Sequence, residues 1–96
     1  MYELKYLPGA ERYFKKIREK GLKSAFRKAL ESIQADPYIG EAKTGDLAGI
    51  YGFDVFYNRT NYEIAYRIYE EDGHLVVVIL AGPRENFYQE LKRYIK

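Results

Sequence analysis

Two runs near the C-terminus constrain this chain more than any other feature. Tyr62-Glu63-Ile64-Ala65-Tyr66-Arg67-Ile68-Tyr69 alternates in polarity, and after a turn at Asp72-Gly73 comes the unbroken apolar run Leu75-Val76-Val77-Val78-Ile79-Leu80. Alternation with period two marks a strand buried on one face, here through Tyr62, Ile64, Tyr66 and Ile68. A short apolar run bounded by turn signals marks a strand covered on both faces, which places it centrally in a sheet. Ala81-Gly82-Pro83-Arg84-Glu85-Asn86-Phe87-Tyr88 follows, so the hairpin delivers an arginine and a tyrosine four residues apart at a strand end.

The rest of the chain supplies what such a sheet must bury against. Tyr2 to Leu7 alternates as a short strand, closed by Pro8-Gly9. Ala10, Tyr13, Phe14 and Ile17 then recur at helical spacing, and Gly21 is read as the stop. Leu22, Ala25, Phe26, Ala29, Leu30 and Ile33 repeat the pattern up to Asp36-Pro37, because the residue before proline disfavours helix. Residues 37–50, with Pro37, Gly40, Gly45 and Gly49, read as a loop. Gly52 to Tyr57 is a strand, Asn58-Arg59-Thr60-Asn61 a turn, and Phe87, Leu91, Tyr94 and Ile95 a short final helix over the sheet edge. The expected fold is α+β in the order β-α-α-β-β-β-α, an antiparallel sheet with an N-terminal helical hairpin on one face.

Composition narrows the class. A chain of 96 residues is expected to form a single domain over residues 1–96. It has no cysteine and no apolar run of the roughly 20 residues needed to span a bilayer. No signal-peptide pattern opens it, so the expected location is cytoplasmic and no membrane partner is expected. Charge is unevenly spread: residues 1–30 hold nine Lys/Arg against three Asp/Glu, a balance of +6, and residues 31–96 hold seven against eleven, a balance of −4. A basic hairpin bearing Lys15, Lys16, Lys23, Arg27 and Lys28 suits a polyanion; the alternative is a solvated helical face kept soluble by its lysines. Eleven tyrosines and no tryptophan provide flat faces for stacking on a base or a partner, though many must be core residues.

The sheet face turned away from the hairpin is expected to be open. It would display Asp54, Phe56 and Asn58 on one strand and Glu63, Ala65 and Arg67 on the next, beside Arg84 and Tyr88. A guanidinium can fork onto a phosphate and stabilise a pentavalent phosphorane, and a tuned Glu or Tyr can move a proton. That set suits attack of a ribose 2′-OH on the adjacent phosphodiester, with no metal and no protein nucleophile. The alternative is a cross-strand ion pair of Arg67 with Glu63 or Asp54. His74, the sole histidine, reads as a turn residue. Gly45, Gly49 and Gly52 lack nucleotide-loop spacing, Ser24 and Ser32 fall on helices away from any triad, and no cofactor or metal is expected.

The order and spacing of several pieces resemble the RelE/ParE superfamily of bacterial toxins, the toxin halves of type II toxin–antitoxin pairs. These pieces are the hairpin ending at Asp36-Pro37, the Gly45-Asp46-Leu47-Ala48-Gly49 segment, the Asn61-Tyr62-Glu63-Ile64-Ala65-Tyr66 strand and the Gly82-Pro83-Arg84 to Tyr88 ending. The resemblance covers nearly the whole chain. It implies a ribosome-dependent mRNA endonuclease neutralised by a cognate antitoxin, or a ParE-like inhibitor of DNA gyrase without nuclease activity, or an inactive homologue that only binds antitoxin. Arg84 matches the family's strand-end arginine and Tyr88 its C-terminal tyrosine. RelE-type nucleases usually carry an arginine directly after the tyrosine of the third strand, where this chain has Glu63, and its nearest arginine there is Arg67. Their second-strand lysines fall near Asp54 and Phe56. Some relatives use a glutamate as base, which makes Glu63, Arg84 and Tyr88 the expected catalytic set. Arg67, with Lys15, Lys16, Lys23, Arg27 and Lys28, is the expected RNA-binding set. The antitoxin is expected on the helical hairpin and around Phe56 and Tyr57.

Overall fold

The computed structural model describes residues 1–71 and 73–95; Asp72, part of the turn expected before the apolar strand, lies outside the described residues. The elements are β1 (Glu3–Tyr6), α1 (Pro8–Lys16), α2 (Lys20–Ala35), β2 (Glu41–Ala42), β3 (Tyr51–Tyr57), β4 (Thr60–Tyr69), β5 (Leu75–Pro83) and α3 (Phe87–Tyr94). They build one five-stranded sheet in the order β1-β5-β4-β3-β2. The α+β class holds, and β4 and β5 occupy the interior of the sheet as their apolar patterns require.

Several local expectations are corrected. The sheet is mixed, because β1 pairs parallel with β5, Glu3 against Leu75 through Tyr6 against Val78. These strands are joined through the whole chain and not by a hairpin, so no turn dictates their relative direction. Gly21 does not end the first helix. The break falls at Ile17, extended at φ −68° and ψ 125° with its side chain buried, and Gly21 sits in the first turn of α2. There a Cβ would stand 2.2 Å from the Tyr57 hydroxyl, so the bare position leaves room for the Tyr57 ring against α2. The segment 37–50 is not plain loop; it holds 3₁₀ turns at Pro37–Ile39 and Gly45–Leu47 with β2 between them. The β3–β4 turn narrows to Asn58 and Arg59, at φ 50° and 64°. Two consecutive left-handed residues make the turn whose twist matches a two-residue hairpin, and asparagine tolerates that conformation well.

Two cores result, one on each face. On the hairpin side, Ile64, Tyr66, Val76 and Val78 of the sheet meet Ala10, Phe26, Ala29 and Ile33 of the helices, with Tyr62 and Ile68 packed against them. On the other side, Ala65, Ile79 and Leu80 meet Ile50 and the α3 residues Phe87 and Leu91. A bulge lets both exist: Ala65 pairs with Leu80 but Tyr66 pairs with Val78, so Ile79 is the extra residue of β5. It re-phases the strand, and Ile79 and Leu80 both serve the second core. Thus α3 covers a sheet face and not the sheet edge. The face expected to be open is covered over Glu63 and Ala65, which are 2 % and 0 % exposed, and free only at Asp54, Phe56 and Asn58.

Side-chain bonds tie the segment after α2 to the sheet. The buried Tyr66 hydroxyl donates to the Pro37 carbonyl at 2.7 Å, and its ring stacks on Tyr51 at 5.8 Å. Gly40 passes so close that a Cβ would meet the Tyr66 hydroxyl at 2.2 Å. At the far end of β4, Glu70 accepts hydrogen bonds from Tyr38 and Tyr2 and pairs with His74 Nδ1 at 2.8 Å. These partners, Tyr38 first, hold its carboxyl down at about 2. His74, beside its turn, is one anchor of that cluster. Because Tyr66→Phe leaves the Pro37 carbonyl unsatisfied in the core, urea unfolding should show a loss of about 1–2 kcal/mol. An unchanged midpoint would mean the bond does not hold this segment.

Candidate active site

Glu63 is a carboxylate placed where a sheet normally buries an apolar residue. It is the fourth residue of β4 and points to the α3 side, out of phase with Tyr62 and Ile64. Across the sheet it faces Asp54 on β3 and Gly82 on β5. Gly52, diagonal to it, is hemmed in: a Cβ there would stand 2.5 Å from Glu63 Oε2, 2.8 Å from Lys43 Cε and 3.0 Å from the Tyr88 hydroxyl. Two bare positions beside Glu63 therefore give room for the groups that gather on it.

Three elements bring those groups. In α3, Phe87 and Leu91 lie one turn apart and insert into the second core, which turns Tyr88 between the helix and the sheet. Its hydroxyl donates to Glu63 Oε2. Arg84 sits between β5 and α3, its amide donating to the Asn61 carbonyl at 2.9 Å and its carbonyl accepting from the Phe87 amide at 3.0 Å. That pinned backbone sets Arg84 Nε 4.0 Å from Glu63 Oε1. Lys43 follows β2; its amide donates to the Ile50 carbonyl at 2.9 Å, and its Nζ lies 2.6 Å from Glu41 Oε1 and 4.0 Å from Glu63 Oε2. The same ammonium stands 4.8 Å above the centre of the Tyr88 ring, within cation–π range. A cleft of about 430 Å³, lined by Gly52, Phe53, Asp54, Glu63 and Arg84, opens onto this cluster.

The electrostatics match that geometry. Burial, followed by the neighbouring Asp54 carboxyl across the strand pair, pushes the Glu63 carboxyl up to about 7, while Tyr88 and Lys43 pull the other way. Burial and the bond to Glu63 raise the Tyr88 phenol, so it is a neutral proton donor at neutral pH. Burial opposes charge on Lys43, but its bonds to Glu41 and Tyr88 outweigh this and the ammonium is held charged. Glu63 Oε1 is buried with no hydrogen-bond partner, alone in this among the described residues. Buried acceptors are almost always satisfied, and an orphaned one on a residue that lines a cleft is a candidate place for a ligand's proton. Among the described residues, no group of three or more His, Cys, Asp or Glu is arranged to hold a metal ion.

Of the residues singled out from sequence, Glu63, Arg84 and Tyr88 come together. Arg67 does not join them; it lies farther along β4, where its Nη1 would be 3.0 Å from a Cβ at Gly49, and it makes no ion pair among the described residues. The expected pairing of Arg67 with Glu63 or Asp54 is thus replaced by Lys43 and Arg84 on Glu63. The hairpin cations are all exposed but spread out. Lys16 borders a groove between α1 and α3, Lys23 and Arg27 flank an apolar groove beside Phe14 and Phe26, and Lys28 lies by Asp54 and Phe56. Lys15 is exposed on α1. Phe56 is 67 % exposed, whereas Tyr57 is half-buried against α2. Sequence reasoning missed Lys43, which stands in a glycine-rich stretch with no periodicity to give it a direction.

A raised Glu63 pKa makes stability depend on pH. The folded chain holds this proton more tightly than the unfolded chain, so the group's contribution is complete below pH 4.5, its ordinary value, and is lost as pH rises through about 7. Glu63→Gln should therefore be more stable than the parent at pH 8 by about 1–2 kcal/mol, with the gain disappearing by pH 4.5. Thermal melts across this range check it; a difference independent of pH would show that Glu63 titrates normally.

Comparison with known proteins gives this geometry a family. Residues 4–92 match the family model described as ParE-like toxin of type II bacterial toxin-antitoxin system. A search of curated proteins finds no significant match. The fold is similar to that of a double-arginine mutant of the E. coli toxin RelE in the free state, with a TM-score of 0.72, 19 % identity and coverage of 97 % of this chain and 92 % of that one. It is similar to the intact E. coli RelBE toxin–antitoxin complex, with a TM-score of 0.68, 21 % identity and coverage of 85 % and 95 %. For the RelBE2 toxin–antitoxin complex of Mycobacterium tuberculosis the values are 0.67, 24 %, 86 % and 98 %. With a RelE-like fold and a family match running through nearly its whole length, the chain belongs to the ParE-like toxins of type II toxin–antitoxin systems.

Proposed function

We propose that this toxin is a metal-independent endoribonuclease that cuts mRNA on the ribosome, acting in the cytoplasm as a single domain over residues 1–96. The observation that carries this reading is the buried, half-satisfied carboxyl of Glu63 with Arg84 and Tyr88 around it at the wall of an open cleft. A carboxyl whose pKa lies near 7 is present in both forms at neutral pH, which suits a general base. Glu63 takes the proton of a ribose 2′-OH, and the freed oxygen attacks the adjacent phosphorus. Negative charge then builds on the phosphorane oxygens, where the exposed Arg84 guanidinium supplies paired donors and a fixed positive charge. Tyr88, kept as a phenol, donates a proton to the departing 5′-oxygen. The bond to that oxygen breaks, leaving a 2′,3′-cyclic phosphate and a 5′-hydroxyl.

The hairpin cations Lys15, Lys16, Lys23, Arg27 and Lys28, with Arg67, contribute phosphate contacts, so binding weakens steeply with salt. A cognate antitoxin is the expected physiological partner, in keeping with the RelBE complexes whose fold this chain shares. A second reading, implied by the resemblance to ParE-type toxins, is inhibition of DNA gyrase without nuclease chemistry. The carboxylate cluster favours the first, since a binding-only toxin has no use for a buried acid that opposes folding at neutral pH.

Inducible expression of the free chain followed by 5′-end mapping of cellular mRNA tests the proposal. Cuts within translated frames should appear, vanish in Arg84→Ala, and fall by about 10²-fold or more in Glu63→Gln. Growth arrest with intact mRNA and a DNA-damage response would assign the gyrase reading instead. Absence of arrest would leave antitoxin binding as the surviving function.

A further inference from the structure

Glu63 is faced by ionisable groups from every element packed around it. Asp54 comes from β3, Tyr88 from α3, Arg84 from the β5–α3 junction and Lys43 from the segment after β2. The two cations are not equivalent. The Arg84 side chain is 55 % exposed, at the cleft mouth, where water screens it and where a substrate phosphate would engage it. The Lys43 side chain is 17 % exposed and lies on the opposite carboxylate oxygen, Oε2, the one that Tyr88 also touches. A charge shielded from water acts more strongly on a buried neighbour than a solvated charge at the same distance.

Lys43 is also held in place. Its amide bonds Ile50, its stem crosses the bare Gly52, and its ammonium sits over the Tyr88 ring. Its shortest contact, however, is with Glu41, whose side chain is 78 % exposed. Such a solvated pairing is weak and exchangeable. The ammonium therefore stands between an exposed carboxylate that tethers it and a buried carboxylate that lacks full compensation.

We propose that Lys43 is a positioning residue of this site: its ammonium sustains the ionised form of Glu63 and seats the Tyr88 ring, and Glu41 restrains how closely it approaches. The site thereby obtains, from the segment ahead of β3, a cation that β3 itself does not carry, because Gly52, Asp54 and Phe56 occupy the positions facing Glu63's side of the sheet. The consequence for catalysis rests on the nuclease reading above; the effect on Glu63 does not.

The test is carboxyl-carbon NMR titration of Glu63 in the purified chain, its signal assigned by loss in Glu63→Gln. Lys43→Met should raise the Glu63 midpoint by about one pH unit or more, and Lys43→Arg should restore most of the difference. Glu41→Gln, a change at an exposed side chain, should lower the midpoint when Lys43 is present and do so far less in the Lys43→Met background. The acid-side limb of the cleavage rate, where activity rises as Glu63 ionises, should move with the same midpoint. A folded Lys43→Met chain with an unmoved Glu63 midpoint overturns the proposal, as does an equal Glu41→Gln effect in both backgrounds. Titrations that behave as expected in a chain that cuts no mRNA would sustain the role of Lys43 and remove the nuclease reading alone.

Discussion

A single buried carboxyl organises this protein's second face. Placing Glu63 inside a sheet is unfavourable unless its charge is compensated, and the surrounding groups supply that compensation only in part. Tyr88 and Lys43 approach one oxygen, while the other has Arg84 at 4.0 Å and no hydrogen bond. The incompleteness is informative. A carboxyl satisfied by several donors is held at a low pKa, as Glu70 is just past the end of the same strand. Glu63 is instead left poised near neutrality, with one oxygen unmet and the residue lining a cleft. The two glutamates, one within β4 and one just past its end, show how donor number and burial separate a carboxyl held ionised from one poised near neutrality.

The fold makes that arrangement possible by using both faces of a small sheet. The helical hairpin covers one face with the larger core, so α3 and the Leu47–Ile50 segment need bury only a few residues on the other. The Ile79 bulge re-phases β5 so that Leu80 joins Ile79 in this second core. Past the bulge, Gly82 faces Glu63 without a side chain, and the chain leaves the sheet at Arg84 already hydrogen-bonded to β4 through Asn61. Tyr88 is thus positioned by packing, through Phe87 and Leu91, and Arg84 by backbone hydrogen bonds. Both reach Glu63 from supports fixed by packing and by backbone hydrogen bonds.

Much of this was legible in the residues. Period-two alternation assigned Tyr62, Ile64, Tyr66 and Ile68 to one face and Glu63, Ala65 and Arg67 to the other, and the structure keeps that division. The spacing of Arg84 and Tyr88 after an apolar strand was enough to bring both into the candidate site. What stayed hidden lacked periodicity. The bulge sits inside a run where every residue is apolar, so a change of phase leaves no mark on the pattern. The parallel entry of β1, the true helix break at Ile17 and the direction of Lys43 depend on distant contacts and not on neighbours in the chain.

The sequence by itself determined the α+β class, the two helices and the strand-patterned runs, and the clustering of Glu63, Arg84 and Tyr88 toward one end of the sheet. It could do so because local periodicity and turn chemistry act over a few residues. Only the tertiary structure decided that Glu63 is buried, that α3 covers its face and that Lys43 supplies the inner cation. Solvation and electrostatic compensation are set by which distant segments exclude water around a group, and that is a property of the packed molecule.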